Sequence, residues 1–170
     1  MPGHIRIVND PVELVPLLMT FNSPSFKKVY ELLSKAWMTE EELKAQVGDD
    51  SVPVCIQVLK KGNLVEEQWR MPKPGEKPTK EYRGTYNKFR ANFQCNLQDL
   101  TDILYISLSN DENLREVVGR IEAEMGNGNT SIGDLSRKFG VSPVFIKGLA
   151  KRIPELDVKG QGLVLLDTGR

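Results

Sequence analysis

The chain has 170 residues, of which 39% are hydrophobic and 27% are charged, and its 23 Lys and Arg balance its 23 Asp and Glu. This composition is typical of a globular protein, and no apolar run approaches the roughly 20 residues that a membrane span requires, which excludes a transmembrane protein. The opening residues lack the apolar stretch of a secretory signal, so we expect a cytoplasmic protein. A net charge of zero argues at first against nucleic acid, because phosphate contacts need cationic side chains.

The charges are unevenly distributed along the chain. Residues 10–50 carry four Lys and Arg against eight Asp and Glu, whereas residues 51–90 carry nine against four. Residues 91–129 return to two against seven, and residues 130–160 carry six against three. A charge run is usually a solvated face, so this alternation indicates a function only if both basic blocks lie on equivalent structural elements.

Two helices are predicted within the first 36 residues. Each begins with an N-cap residue followed by proline in the first turn, at Asp10-Pro11 and at Ser23-Pro24. Apolar residues at helical spacing continue the first helix to about residue 19 and the second to about residue 36.

A pair of short helices is predicted next. Thr39 and Glu42 have the spacing of a capping box, and Gly48 closes the helix that they begin. Asp50 or Ser51 then caps the second helix of the pair, which has one buried apolar stripe and a polar remainder.

A β-ribbon follows this pair. Gly62-Asn63 stops the helix, and residues 64–71 have the composition of a strand. Residues 72–78 contain three prolines, which lack the backbone donors that a helix or a central strand needs, so they form a hairpin tip. A second strand runs through Tyr82 and Tyr86.

The second half repeats these patterns. Helices are predicted over residues 96–109 and 112–125, followed by a glycine-rich break. Thr130 or Ser131 caps a short helix, another helix begins at residues 141–143, and residues 156–166 form a tight hairpin.

Short helix, turn, second helix and hairpin therefore occur in the same order twice. This order is the plan of a winged helix-turn-helix unit. We predict an α+β fold that is mainly α, with two winged helix-turn-helix units that carry short β-hairpin wings. The predicted domains are residues 10–95 for the first unit, 96–110 for a connecting and dimerisation helix, and 111–170 for the second unit.

This plan predicts DNA binding because a second helix fits the major groove while the hairpin touches the flanking phosphates. Both basic blocks fall on those elements. The predicted DNA contacts are Ser51, Gln57, Lys60, Lys61, Lys73, Lys77, Lys80, Arg83, Lys147, Lys151 and Arg152. The alternative is a winged-helix protein-interaction module without sequence-specific DNA binding, whose lysines are merely solvated.

The first unit resembles the ArsR-type winged helix-turn-helix transcriptional regulators. The resemblance lies in residues 38–43 (MTEEEL), Ser51-Val52, Ile56, Leu59 and the ending GNLVE at residues 62–66. In its length and in having a second unit, the chain resembles the archaeal branch of these regulators, which is found in methanogens.

The resemblance implies a homodimer that binds palindromic double-stranded DNA and regulates transcription. It also implies dimerisation through terminal helices, with ordinary intramolecular core as the alternative for the same residues. The seam residues would be Val12, Val15, Leu97, Leu100, Leu104 and Leu108. Metal-responsive members carry a Cys-x-Cys pair where this chain has residues 42–46 (ELKAQ), so metal sensing is not implied.

No enzyme, cofactor or metal site is predicted. His4 is the single histidine, so we expect neither a metal site nor a histidine-based catalytic triad within one chain. The carboxylates at residues 40–42 have the pattern of helix-capping charge. Cys55 is either a redox-sensitive thiol at a helix N-terminus or a small packed hydrophobe, and Cys95 has the same two interpretations.

Overall fold

The computed structural model describes residues 3–48 and 50–167. The helices in those residues are α1 (Leu14–Asn22), α2 (Pro24–Leu33), α3 (Glu40–Val47), α4 (Val52–Lys61), α5 (Leu97–Leu108), α6 (Asp111–Gly126), α7 (Ile132–Phe139) and α8 (Pro143–Arg152). The strands are β1 (Ile5–Val8), β2 (Met38–Thr39), β3 (Val65–Arg70), β4 (Thr79–Gly84), β5 (Lys88–Ala91), β6 (Leu156–Lys159) and β7 (Gly162–Leu165). The fold is α+β and mainly α, as predicted.

The helix starts lie where the capping signals place them. Asp10 accepts a hydrogen bond from the amide of Val12 and begins a short 3-10 helix that leads into α1, and Ser23 caps α2. Thr39 and Glu42 form both hydrogen bonds of a capping box at the start of α3. These side chains satisfy backbone amides that have no partner inside the helix, which fixes where each helix begins.

The elements α2, α3, α4, β2, β3 and β4 form what we call the first unit. Its sheet has the order β2-β4-β3, and the long hairpin pairs Val65 with Gly84 and Arg70 with Thr79. β2 was not predicted, because two residues are too few to show a strand pattern. The apolar core of the unit is a cluster that includes Val29, Leu33, Leu43, Leu59 and Leu64.

The elements α6, α7, α8, β6 and β7 form what we call the second unit. Ser131, just before α7, bridges to Gly162 of β7, as β2 bridges to β4 in the first unit. The apolar cluster of this unit also takes in Val15 of α1 and Ile103 and Ile106 of α5. The core of the second unit is therefore completed by helices that lie outside it.

A parallel pair of strands, β1 and β5, was also missed by the sequence analysis. Ile5 pairs with Lys88 and Val8 pairs with Ala91. The pair joins residues more than 80 positions apart. No turn next to either strand connects it to the other, so the local sequence does not indicate the pairing. Ile5, Ile7 and Phe89 remain 42%, 44% and 56% exposed, so this ribbon is incompletely covered.

Helix α5 has one face in the core and one face in solvent. Ile103, Ile106 and Ser107 are buried. Leu97, Leu104 and Leu108 are 80%, 40% and 51% exposed, whereas Leu100 is half-buried. The leucine stripe of this helix therefore faces outward, although a stripe at this spacing usually marks the core side of a surface helix.

Two residues predicted for the dimer seam lie inside the chain instead. Val12 is 5% exposed and Val15 is fully buried in the cluster of the second unit. Their side chains have no surface to present to a second copy, because the 3-10 helix and α1 pack on α8 and α5. The alternative of intramolecular core describes both residues.

Cys55 is fully buried in the apolar cluster of the first unit, and its Sγ lies 3.9 Å from the carbonyl oxygen of Phe26. A redox-sensitive thiol needs access to solvent, so the packed-hydrophobe interpretation fits this position. Among residues 3–48 and 50–167, no helix has the length and apolar character needed to cross a bilayer.

Candidate nucleic-acid interface

The tip of the long hairpin is the most exposed basic segment of the first unit. Every residue from 71 to 79 is exposed. The amide of Glu76 donates to the carbonyl of Lys73 at 2.9 Å, and Gly75 has φ +88°, a conformation that favours glycine. Lys73 and Lys77 take part in no ion pair within the part of the chain that the structure describes. The tip is thus an ordered turn with two ammonium groups open to solvent.

The paired part of the hairpin contains a carboxylate held between two lysines. Glu67 of β3 lies 2.8 Å from the Nζ of Lys60 and 3.0 Å from the Nζ of Lys80. These hydrogen bonds lower the pKa of Glu67 and raise the pKa of Lys80. The Nζ of Lys80 also lies 5.5 Å from the ring centroid of Trp69, within cation–π range. Two predicted DNA contacts therefore have an internal anion as partner in this conformation.

A second ion-pair network ties the hairpin to α3. The guanidinium of Arg70 donates two hydrogen bonds to Glu42, at 2.6 and 2.9 Å, and its Nε lies 2.6 Å from Glu81. The Arg70 hydrogen bonds and the backbone amide of Thr39 lower the pKa of Glu42 to about 2. Glu42 thus fixes the start of α3 and the end of the paired strands next to the hairpin tip with one carboxylate.

Helix α4 presents a narrow open face. Val54 is 50% exposed, and Gln57 and Lys60 are also exposed, whereas Ser51 is partly buried at the N-cap position. One groove of about 460 Å³ runs between this face and α6, and Gln57 and Arg115 both line it. Val52, Cys55, Ile56 and Leu59 lie in the core of the first unit. Base reading by this helix would therefore depend on few side chains.

Lys61 is the first predicted DNA contact that the structure places elsewhere. It is partly buried, and its Nζ donates to the carbonyl of Ala150 at 2.9 Å and to the carbonyl of Leu156. Burial lowers the pKa of this ammonium. Lys61 therefore joins the end of α4 to the end of α8 instead of facing phosphate.

Arg152 is the second such residue. It is 8% exposed, and its guanidinium donates to the carbonyls of Ile106 and Ser109 and to Asp111. The helical pattern places it off the stripe of Ile146 and Leu149, but α5 covers that side of α8 as well. The result is a structural cation that caps the carboxyl end of α5.

The remaining predicted DNA contacts of the second unit are Lys147 and Lys151, which lie on α8. Lys147 and Lys151 of α8 are half-buried, and neither forms an ion pair within residues 3–48 and 50–167. A Cβ atom on Gly148 would lie 2.8 Å from the Cδ1 of Ile106, so the side chain of Ile106 in α5 packs directly on the backbone of α8. Close cover of this kind leaves α8 little surface for a groove of DNA.

The two units meet in a second groove of about 510 Å³. Gln57, Lys60 and Lys61 of α4 line it from one side, and Lys151 and Asp157 line it from the other. Arg83 lies apart from this groove, half-buried on β4 opposite Glu66. The structure thus brings four of the predicted residues, Gln57, Lys60, Lys61 and Lys151, together at one junction.

Sequence reasoning missed the acidic partners in the first unit. Glu42 was predicted as a capping residue only, and Glu67 and Glu81 were not singled out. Their alternation with basic residues across the paired strands was the available signal, because long side chains at diagonal positions on neighbouring strands, such as Glu67 with Lys80 and Arg70 with Glu81, can reach each other. Within the described residues, no three His, Cys, Asp or Glu side chains are grouped so that they could hold a metal ion.

Comparison with known proteins gives one family match. The family model described as ArsR transcriptional regulator matches residues 8–167. No curated protein matches the chain.

Proposed function

Because the chain belongs to the ArsR family of transcriptional regulators, we propose that it binds double-stranded DNA as a homodimer. The observation that carries this proposal beyond family membership is the hairpin tip, where Lys73 and Lys77 stand exposed on an ordered turn. Cations in this position suit the phosphates that flank a bound helix.

Both units are winged helix-turn-helix units in this proposal. The first unit supplies the wing, β3 and β4, and the recognition helix, α4, with Ser51, Gln57 and Lys60 as its contacts. Lys80 and Arg83 extend the wing contact toward its base. The second unit contributes Lys147 and Lys151 at most, because close packing by α5 occupies the rest of α8.

The homodimer forms through the outward stripe of α5. Leu97, Leu104 and Leu108 are exposed, and Tyr105 beside them is 49% exposed. Apolar side chains three and four residues apart on one helix face form the seam by which two such helices pack, and exposed patches of this kind mark interaction sites. A two-fold dimer would place two first units on a palindromic site.

A test of this seam replaces Leu104 and Leu108 by Glu. The variant is expected to be a monomer at concentrations where the parent is a dimer, because buried unpaired carboxylates oppose association. Leu165→Glu is the matched control, since Leu165 is 54% exposed but lies on β7. Light scattering after size exclusion measures the mass, and an unchanged dimer in the double variant would remove α5 from the interface.

The test of DNA binding is a gel shift on the chain's own upstream region against scrambled DNA at several salt concentrations. Affinity is expected to fall steeply with salt, and Lys73→Ala with Lys77→Ala should reduce the slope by about two units, about 0.9 for each lost phosphate contact. Lys27→Ala with Lys35→Ala removes the same charge from the outside of α2 and its end. That control should keep the parental slope.

A second candidate function is a protein-interaction module of the transcription machinery. Two observations favour it. Glu67 forms ion pairs with Lys60 and Lys80, and α6 lies across the groove from the exposed face of α4. Phosphate contacts weaken steeply with salt and are therefore strongest at low salt, whereas apolar protein contacts depend little on it. Absence of a shift at low salt would thus support this function.

A further inference from the structure

An apolar cavity of about 460 Å³ lies on the side of the first unit away from the hairpin tip. Its walls include Leu14, Leu17 and Phe21 of α1, Tyr30 of α2, and Phe89 of β5. The volume falls within the range of small-molecule sites, which are concave and lined mainly by apolar and aromatic side chains. Nothing in the proposed DNA interface uses this space.

The cavity is held open by features that do not depend on a ligand. The hydroxyl of Tyr30 donates to the carbonyl of Tyr86 and accepts from its amide at 3.3 Å, so the aromatic wall is pinned to the chain after β4. Phe21 packs edge-on against Tyr30, with ring centroids 5.6 Å apart. Phe21 and Phe89 nevertheless stay 50% and 56% exposed. Exposed apolar surface is unfavourable in water, and a bound ligand would cover it.

The charges around the cavity have one sign. Arg6 and Lys88 line it, and no carboxylate among the described residues does. Arg6 is already engaged, because its guanidinium lies 2.9 Å from Glu13 and donates to the carbonyl of Ile7. Lys88 is exposed and forms no ion pair within residues 3–48 and 50–167. The site therefore offers an apolar body and one available cation.

We propose that this cavity binds a small amphipathic carboxylate, with its apolar chain or ring against α1 and its carboxylate at Lys88. Burial of the apolar part supplies most of the affinity, and the ammonium of Lys88 selects the charged end. The walls are mainly aromatic and leucine side chains, and the hydroxyls of Tyr30 and Ser34 that also line the cavity already donate to backbone carbonyls, so they do not call for a polar ligand body.

Helix α1 links the cavity to the rest of the molecule, and this step rests on the proposed function. Pro16 of α1 abuts Gly62 at the end of α4, where an added Cβ would lie 2.7 Å from the Cβ of Pro16. Val15 packs in the same cluster as Ile106 of α5. A ligand against one side of α1 thus acts on a helix that touches both the recognition helix and the dimer helix, so the carboxylate is an effector.

The binding test uses decanoate, with decanol as the neutral analogue, in titration calorimetry on the full chain. Decanoate is expected to bind saturably with one site per chain. Lys88→Glu should weaken decanoate at least fivefold and change decanol less than twofold. Arg90→Glu makes the same charge change on the same strand outside the cavity and should change decanoate less than twofold.

Thermal melting of each variant verifies folding, and Phe89→Asp serves as a second variant at the apolar wall that should weaken both ligands. No saturable heat with decanoate, or equal weakening by Lys88→Glu and Arg90→Glu, would overturn the site. The effector role is measured separately, as the ratio of DNA affinities with and without saturating decanoate. An unchanged ratio with intact decanoate binding would reject the effector role alone, and absent DNA binding would reject the proposed function alone.

Discussion

The two units share an element order but differ in what covers their second helix. α4 keeps Val54, Gln57 and Lys60 at the surface, and its own hairpin extends six paired residues on each strand. α8 is covered by α5, α1 and α7, and its hairpin has four residues on each strand. The same order of helices and strands can therefore leave the second helix open at the surface or cover it as a scaffold, and the neighbours of the second helix decide which.

The largest effect expected from this difference concerns Arg152. Arg152→Ala should lower the free energy of unfolding by about 2–4 kcal/mol, because the carbonyls of Ile106 and Ser109 lose their donor inside the protein. Lys151→Ala, one residue earlier on the same helix, should change it by less than about 0.5 kcal/mol. Urea unfolding followed by circular dichroism measures both. Equal small effects would show that α8 is not the scaffold helix.

A second prediction compares base reading by the two helices. Gln57→Ala should lower the ratio of affinities for specific and scrambled DNA about tenfold, since a side chain that reads a base is worth about 1–3 kcal/mol. Lys147→Ala with Lys151→Ala should leave that ratio within twofold. Competition gel shifts give the ratio. The reverse ranking would transfer the reading function to the second unit.

A third prediction concerns the carboxylate between two lysines. Glu67→Gln should raise DNA affinity about threefold at low salt, because Lys60 and Lys80 no longer exchange an internal anion for phosphate. Glu31→Gln, on the exposed side of α2, removes the same charge without releasing a lysine and should have a smaller effect. If the two variants raise DNA affinity equally, the increase comes from the change in net charge, and the ion pairs of Glu67 with Lys60 and Lys80 have no role.

The smallest effect is a pH dependence. The pKa of Glu42 lies below its ordinary value of 4.5, at about 2, so its ion pair contributes stability above pH 4.5 that is lost as the pH falls through 2. Exposure limits this contribution to less than about 1 kcal/mol. Glu42→Gln should flatten the loss of stability between pH 4.5 and 2, as followed by thermal melting. An equally steep acid limb in the variant would contradict the prediction.

Local signals carried the sequence prediction of the fold. The capping box at Thr39 and Glu42, the glycine at position 48 and the three prolines of the hairpin tip each act within a few residues, so they can be recognised from sequence alone. The pairing of β1 with β5 cannot, because each strand lacks any sign of a partner more than 80 residues away.

The same distinction explains the site residues. A helical pattern places Lys61 and Arg152 off one buried stripe, and exposure was the natural inference. Each side chain instead meets carbonyls from another element, Leu156 for Lys61 and Ile106 for Arg152. Whether a second side of a helix is buried depends on which element packs against that side. The periodic pattern of one helix carries no information about that neighbouring element.

In the proposed complex with DNA, the prolines of the hairpin tip and the length of its strands have a geometric consequence. Pro72, Pro74 and Pro78 have restricted backbone angles before any contact is made, so ordering the tip on phosphate costs less conformational entropy than ordering a flexible loop. A six-residue strand is about 20 Å long, which corresponds to about six base pairs at 3.4 Å each. In a two-fold complex the protected region of DNA would therefore extend by a constant length past each half-site, whatever bases lie there.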